Sequence, residues 1–203
     1  LRPAEALTGK LEMISNGSFM RTLANGLIYK YSLYGQLASI EDRNHNRITF
    51  TYNTAGELVR IGDRFGRNIR ITRSAGLITA ITDPAGRVYA YSYNSAGYLA
   101  SVTDAAGDRV QFEYTDNQLS AIVKADGSRS EYHYGIVDGR RVLEWNTDEE
   151  GDPEYFAYYP GYTEYTDRAG KRERHYYNEE LLITRIEYAD GTAITKEYDG
   201  KGD

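Results

Sequence analysis

Three histidines and one run of carboxylates are the groups in this chain that could bind a metal ion or transfer protons. His45, His133 and His175 are the only histidines. His133 and His175 lie far apart in the chain, and no carboxylate stands at ligand spacing to either. The acidic run at 148–152 could bind Ca²⁺ through clustered oxygens, but it lacks the alternating spacing of a dedicated calcium loop. We therefore expect a strand-surface role for His133 and His175, a solvated turn at 148–152, and no metal site.

Nucleophilic and phosphate chemistry are equally poorly represented. The absence of Cys removes disulfides and thiolate nucleophiles. No Ser, His and Asp set stands out, and the glycines do not form a phosphate-binding loop between a strand and a helix. The sequence predicts that the chain is not an enzyme, and it indicates no cofactor and no catalytic residue.

Tyrosine side chains are the strongest candidates for ligand contact. The chain has 20 Tyr against five Phe and one Trp. Two groups could stack on sugars or hold a partner segment: Tyr89, Tyr91 and Tyr93, and Tyr158, Tyr159 and Tyr162. The alternative, which we favour, is that these rings face the inner sheet surface as core or lining.

Composition indicates a folded chain without affinity for polyanions. Apolar residues make up 40% of it, enough for a buried core. A formal net charge of -6 and a pI near 5.2 work against nucleic-acid binding. No apolar run approaches the roughly 20 residues of a membrane-spanning helix. We therefore expect that the chain does not bind nucleic acid and has no membrane-spanning helix.

A repeat of 20 or 21 residues organises the chain. Each repeat has an apolar residue, a turn residue five positions later, and an aromatic residue seven positions after that. His45 takes the place of a turn Gly, and Arg73 takes the place of a Tyr. The residues that define about eight repeats are Tyr52, Gly56, Ile61, Gly66, Ile81, Asp83, Gly86, Tyr93, Gly97, Val102, Asp104, Gly107, Tyr114, Ile122, Gly127, Tyr134, Gly170, Tyr177, Ile186, Gly191 and Tyr198.

Each repeat is predicted to be a pair of strands. The alternation of Tyr89, Tyr91 and Tyr93 with small residues is typical of a strand. Four-residue turns that start at Asn or Asp and end at Gly predict type I turns. The spacing of three between Leu58 and Ile61 would place them on opposite faces, which implies a bulge or burial on both faces. The fold class is all-β, with about 16 or 17 strands in a continuous, twisted, spiralling antiparallel sheet.

We divide the chain into two parts. Residues 1–25 are predicted to be a linker and an off-period hairpin that turns at Asn16-Gly17. Residues 26–203 are the repeat array, with a degenerate repeat near 135–160 that has a longer connection. The start at Leu1 and the stop after the turn at 199–202 suggest a fragment. Unpaired sheet edges should then favour self-association at high concentration.

The repeat pattern resembles the RHS/YD repeat family over about residues 26–203. The resemblance is carried by Tyr followed by Asn or Asp, then Gly and Leu, then an Ile or Val before Asp-x-x-Gly. Examples are Tyr52-Asn53, Gly56, Leu58, Ile61 and Asp63. The family includes bacterial polymorphic toxins, toxin-complex subunits, wall-associated proteins and teneurins, and the resemblance implies hairpins that spiral into a hollow shell.

The resemblance implies a structural segment of a secreted or surface shell that encloses or presents another polypeptide, such as a C-terminal toxin domain. The partners are then the remainder of the shell and that polypeptide. The alternative is an adhesion or carbohydrate-binding module that uses the Tyr-rich face, with cell-surface glycans as partners. Asp83-Pro84-Ala85-Gly86 superficially matches a self-cleavage junction of the toxins, but its place among ordinary repeat turns predicts a turn.

Overall fold

The computed structural model describes residues 9–14 and 17–198, and this part of the chain contains 19 strands. The chain divides into two compact units. The first unit comprises 1–92 and 102–107, and the second comprises 93–101 and 108–203. The predicted turn at 199–202, the linker at 1–8 and Asn16 lie outside the described residues. The division into 1–25 and 26–203 stays a prediction.

Antiparallel hairpins follow one another along the first nine strands. Each strand pairs with the next, from β1 with β2 to β8 with β9. The strands are β1 (Gly9–Met13), β2 (Phe19–Leu23), β3 (Ile28–Tyr31), β4 (Leu37–Glu41), β5 (Arg47–Tyr52), β6 (Leu58–Asp63), β7 (Asn68–Ser74), β8 (Leu77–Thr82) and β9 (Val88–Tyr93).

The second unit repeats this arrangement. Its strands pair in chain order from β11 to β19. They are β11 (Arg109–Thr115), β12 (Gln118–Val123), β13 (Arg129–Val137), β14 (Arg140–Thr147), β15 (Pro153–Tyr159), β16 (Tyr162–Thr166), β17 (Arg172–Tyr177), β18 (Ile183–Tyr188) and β19 (Ala193–Thr195). Strand β10 (Leu99–Thr103) is shared between the two units.

The predicted fold class is confirmed: the described residues form tandem antiparallel hairpins in a 19-stranded sheet. The expected count of 16 or 17 strands is too low. A turn occurs about every ten residues, and β1 to β3 add strands before the part of the sequence where the pattern is regular. The first hairpin turns between Ile14 and Ser18 with Gly17 at φ 79°. Gly17 N donates to Ile14 O over 3.0 Å, and the expected two-residue turn at Asn16-Gly17 stays a prediction.

The degenerate repeat differs from the expectation. The extra residues between Tyr134 and Asp148 were expected to lengthen a connection. They lengthen strands instead, since β13 has nine residues, β14 has eight, and Asp138-Gly139 alone joins them. Both turn residues have positive φ, 50° and 74°, which suits a tight two-residue hairpin.

The two faces of the first unit differ in polarity. Residues directly opposite each other on neighbouring strands share a face. One face is apolar because it pairs Ile40 with Ile48, and Ile71 with Ile81. The other face is polar and pairs Arg60 with Arg70. We name these the apolar face and the polar face of the unit.

The same division holds in the second unit. Its apolar face pairs Phe112 with Ile122, and Phe156 with Tyr165. Its polar face pairs Glu164 with Arg174. Among the described residues, the only buried apolar residues are Leu23, which is 8% exposed, and Ala121, which is 0% exposed. Most side chains of the apolar faces are therefore half-buried.

Candidate functional site

The predicted turn residues occupy tight turns. Gly56, Gly66, Gly86, Gly97, Gly107, Gly127, Gly170 and Gly191 all have φ between 78° and 99°. This left-handed region is costly for residues with a Cβ atom. The backbone hydrogen bonds confirm a type I turn: Gly86 N donates to Asp83 O over 3.0 Å, and Asp83 N donates to Arg87 O over 2.9 Å.

The Asp or Asn that starts each turn holds it with its side chain. Asp83 Oδ1 accepts from the backbone N–H of Ala85 at 2.8 Å and of Arg87 at 3.0 Å. Asp83 Oδ2 pairs with Arg87 Nε at 2.6 Å. Asp104 Oδ1 accepts from the N–H of Ala106 and Gly107. The sequence Asp83 to Gly86 is thus an ordinary repeat turn, as predicted.

His45 occupies the position of a turn Gly with φ 59°. Its Nδ1 lies 2.8 Å from Glu41 Oε1, and Arg47 Nη2 donates to Glu41 Oε2 over 2.7 Å. The hydrogen bond with His45, followed by that with Arg47, lowers the pKa of the Glu41 carboxyl. Glu41 is 7% exposed, so its carboxylate is buried and is paired with His45 and Arg47.

The predicted bulge is present, and it decides which face the repeat residues occupy. On β6, Leu58 pairs with Tyr52 and Arg60 pairs with Thr51, so Val59 is the extra residue. The shift places Leu58 and Ile61 on the same apolar face. The same irregularity precedes Ile81, Ile122 and Ile186.

The repeat tyrosines bind the preceding bulge. Tyr52 Oη donates to Leu37 O over 3.0 Å, and Tyr114 Oη donates to Leu99 O over 2.9 Å. The same contact joins Tyr158 to Leu143 at 2.8 Å and Tyr198 to Ile183 at 2.7 Å. In each case the acceptor lies 15 residues earlier in the chain. We call these contacts tyrosine clamps.

The Tyr158 clamp reaches a backbone carbonyl beyond the end of the ladder between β14 and β15. The ladder between β14 and β15 pairs Trp145 with Tyr155 and continues away from Leu143. The hydroxyl of Tyr158 gives this part-buried carbonyl a hydrogen-bond partner, and it thereby stabilises the bulge that it contacts. Each clamp therefore fixes one repeat to the one before it. Sequence reasoning missed this contact, although the 15-residue spacing was its signal.

Other tyrosine positions depart from this contact. Tyr177 Oη donates to Tyr159 O over 3.4 Å, and Tyr134 lies opposite Leu143 in the ladder. Tyr93 ends β9. Arg73 stands where a clamp Tyr would stand, with Leu58 15 residues before it. Its Nη1 donates to Gly76 O over 2.9 Å, while its buried Nε has no partner among the described residues.

Arginines at the second position of turns connect neighbouring turns on one side of the sheet. Arg43 donates to Ala24 O over 3.1 Å. Arg64 donates to Asn44 O over 3.4 Å. Arg168 pairs with Asp148 at 3.1 Å. These contacts were also missed, and the recurring Asp-Arg pair at the start of a turn was the available signal.

The second group of tyrosines considered for ligand contact, Tyr158, Tyr159 and Tyr162, is divided between the two faces of the sheet. Tyr158 is on the apolar face, whereas its neighbour Tyr159 pairs with Tyr162 on the polar face. The rings of Tyr159 and Tyr162 stack with centroids 4.7 Å apart, so each covers a face of the other. Tyr159 is still 44% exposed and Tyr155 is 49% exposed. These two rings are accessible on the polar face.

The remaining candidates are surface groups. His133 stacks on Trp145 with ring centroids 4.4 Å apart, and His175 Nε2 lies 3.1 Å from Glu173. The acidic run forms a turn in which Asp148 Oδ1 accepts from the N–H of Glu150 and Asp152. In the part of the chain that the structure describes, no group of three or more potential ligands could hold a metal ion. The same residues include no helix long and apolar enough to cross a membrane.

The family model for the RHS repeat matches residues 74–109 and 93–129. No curated protein matches the chain. Two solved structures share its fold, described as TcdB2-TccC3-Cdc42 and as TcdB2-TccC3 without the hypervariable C-terminal region. Each superposes with a TM-score of 0.50, at 13% and 12% identity over 91% and 96% of this chain. The chain spans 14% and 17% of those two chains.

Proposed function

We propose that the chain, in which the RHS-repeat model matches residues 74–109 and 93–129, is a wall segment of a secreted or surface RHS shell. Its role is structural and not catalytic: it encloses or presents another polypeptide, such as a C-terminal toxin domain. One of the two similar structures is described as lacking a hypervariable C-terminal region. The likeness at 12% identity itself concerns the fold alone.

The observation that carries the proposal is the uncovered apolar face. Ile48 on this face is 44% exposed, although it pairs with Ile40 and both side chains are aliphatic. Monomeric proteins rarely leave large contiguous apolar surfaces in water, because burial is worth about 25 cal/mol per Å². A covering polypeptide on the apolar face would supply that burial. The tyrosine clamps would keep the wall continuous while its face is occupied.

Single cysteines test which face is covered, because the chain has no Cys of its own. Ile48→Cys places a thiol on the apolar face, and Thr49→Cys places one on the polar face of the same strand. In the native assembly we expect maleimide to label Thr49→Cys at least ten times faster than Ile48→Cys, while the isolated chain reacts at both. Equal labelling in the assembly would refute an enclosing wall.

Glycan binding is the second candidate function, and the accessible rings of Tyr155 and Tyr159 favour it. Aromatic rings of this kind can stack on sugars. A glycan array that shows binding by the chain, lost in Tyr155→Ser together with Tyr159→Ser, would support it. Binding that persists in this variant, or no binding at all, would count against these rings.

A further inference from the structure

The two units carry opposite net charge. The first unit has 12 Lys and Arg against 8 Asp and Glu, which gives +4. The second unit has 12 Lys and Arg against 22 Asp and Glu, which gives -10. Opposite charges attract over roughly a Debye length, about 10 Å at 0.1 M salt. A copy of this chain therefore presents to a second copy two surfaces of complementary sign.

The turn between β6 and β7 provides a docking point on the basic unit. Phe65 at its tip is 68% exposed. The guanidinium carbons of Arg64 and Arg67 lie 5.0 and 5.7 Å from the centre of its ring. Arg67 pairs with Asp63, whereas Arg64 donates to the neutral Asn44 and Asn46 and has the carboxylate of Asp42 nearby. The tip thus combines an exposed Phe ring with an Arg side chain, and both residue types are enriched at protein interfaces.

We propose that this Phe65 tip docks on the acidic second unit of another copy of the chain. The second unit offers exposed carboxylates at Glu150 and Asp152, in a turn that Lys124 and Arg168 neutralise only in part. The contact joins two different surfaces, so it leaves a free tip and a free acidic unit at the ends of every assembly. Such heterologous contacts propagate into open chains unless the rotation closes a ring.

Sedimentation velocity over a concentration series measures this association at roughly 20 mM and roughly 500 mM salt. At low salt we expect the average mass to rise beyond that of a dimer, and at high salt we expect it to fall towards the monomer. Arg64→Glu should weaken association at least ten-fold, and so should Phe65→Ser. Lys10→Glu makes the same charge change elsewhere in the first unit, and it should change association less than two-fold.

A charge swap decides the pairing. Glu150→Arg with Asp152→Arg should abolish self-association, and mixing this variant with Arg64→Glu should restore it. Phe65→Ser decides the role of the tip if Arg64→Glu does not fold by circular dichroism. The proposal is overturned if the chain is a strict monomer, or if the mixture of the two variants stays monomeric. It is also overturned if association survives high salt, as edge pairing would, or if Lys10→Glu and Arg64→Glu have equal effects. None of these outcomes depends on the enclosing function proposed above.

Discussion

Replacement of Tyr158 by Phe removes a single oxygen atom and opens one tyrosine clamp. The Tyr158 hydroxyl donates to Leu143 O over 2.8 Å. Burial, and then the neighbouring Tyr177, raise the pKa of this hydroxyl, in keeping with a partly desolvated donor. A typical intramolecular hydrogen bond contributes about 1 kcal/mol, and an abandoned buried acceptor adds a cost of about 1–3 kcal/mol. We expect Tyr158→Phe to lower the free energy of unfolding by about 1–2 kcal/mol.

The next residue on the strand supplies a matched control. Tyr159 points to the opposite face and is 44% exposed. Tyr159→Phe should change the free energy of unfolding by less than about 0.5 kcal/mol, as is usual for surface substitutions. Urea titration followed by near-ultraviolet circular dichroism measures both variants. Hydrogen exchange should show faster opening of β14 and β15 in Tyr158→Phe alone.

The pH dependence gives the same clamp a second test. The folded-state pKa of Tyr158 is raised above its ordinary value of 10.0. Its stabilising contribution is therefore complete below about pH 10 and is lost as the pH rises through the folded-state pKa. The stability difference between wild type and Tyr158→Phe should shrink above that pH. Equal destabilisation by Tyr158→Phe and Tyr159→Phe, or none by either, would refute the clamp.

Three further substitutions test the geometry of the repeats. Arg73→Tyr should raise the urea midpoint, because it supplies a clamp to Leu58 and removes a buried nitrogen without a partner. We expect the free energy of unfolding to rise by about 1 kcal/mol. An equal rise in Arg73→Phe would show that the hydroxyl is not the cause. Leu181 is 73% exposed and has a φ of 62°, a backbone angle that is strained for a residue with a Cβ atom. Leu181→Gly should relieve this strain and stabilise the chain by about 0.5–1 kcal/mol, after subtraction of the entropic cost of Gly in the unfolded state. A lower urea midpoint would contradict this. The pKa of Glu41 is lowered, so its contribution to the free energy of unfolding is complete above its ordinary pKa of 4.5 and is lost as the pH falls. The urea midpoint of Glu41→Gln should therefore change less between pH 7 and pH 3 than that of the wild type. Parallel curves of midpoint against pH would refute this.

Turn chemistry made much of the fold predictable. Asp83 and Gly86 specify their turn within four residues, because the carboxylate accepts from nearby N–H groups and Gly takes a positive φ. His45 could be placed in a turn for the same reason. The alternation of Tyr89 and Tyr91 with small residues identified a strand. These signals are local, and they need no knowledge of the neighbouring strands.

Register was the step at which sequence reasoning became less reliable. The spacing of Leu58 and Ile61 implied a bulge or burial on both faces, and the ladder shows the bulge. Tyr158 and Tyr159 were considered together as ligand contacts, yet adjacent strand residues point to opposite faces. The longer segment after Tyr134 was interpreted as a connection, but the strands had room to extend on both sides of Asp138-Gly139.

The sequence by itself determined that this chain is a series of β-hairpins, where they turn, and which repeat family they resemble. Turns depend on a few consecutive residues, so their chemistry is visible in the sequence. The tertiary structure alone decided the tyrosine clamps, the arginine contacts between turns and the exposure of Phe65. Those features join residues about 15 to 20 positions apart, or depend on what lies next to a turn. The register that the bulges impose sets these distances, and one residue of slip would send each side chain to the other face.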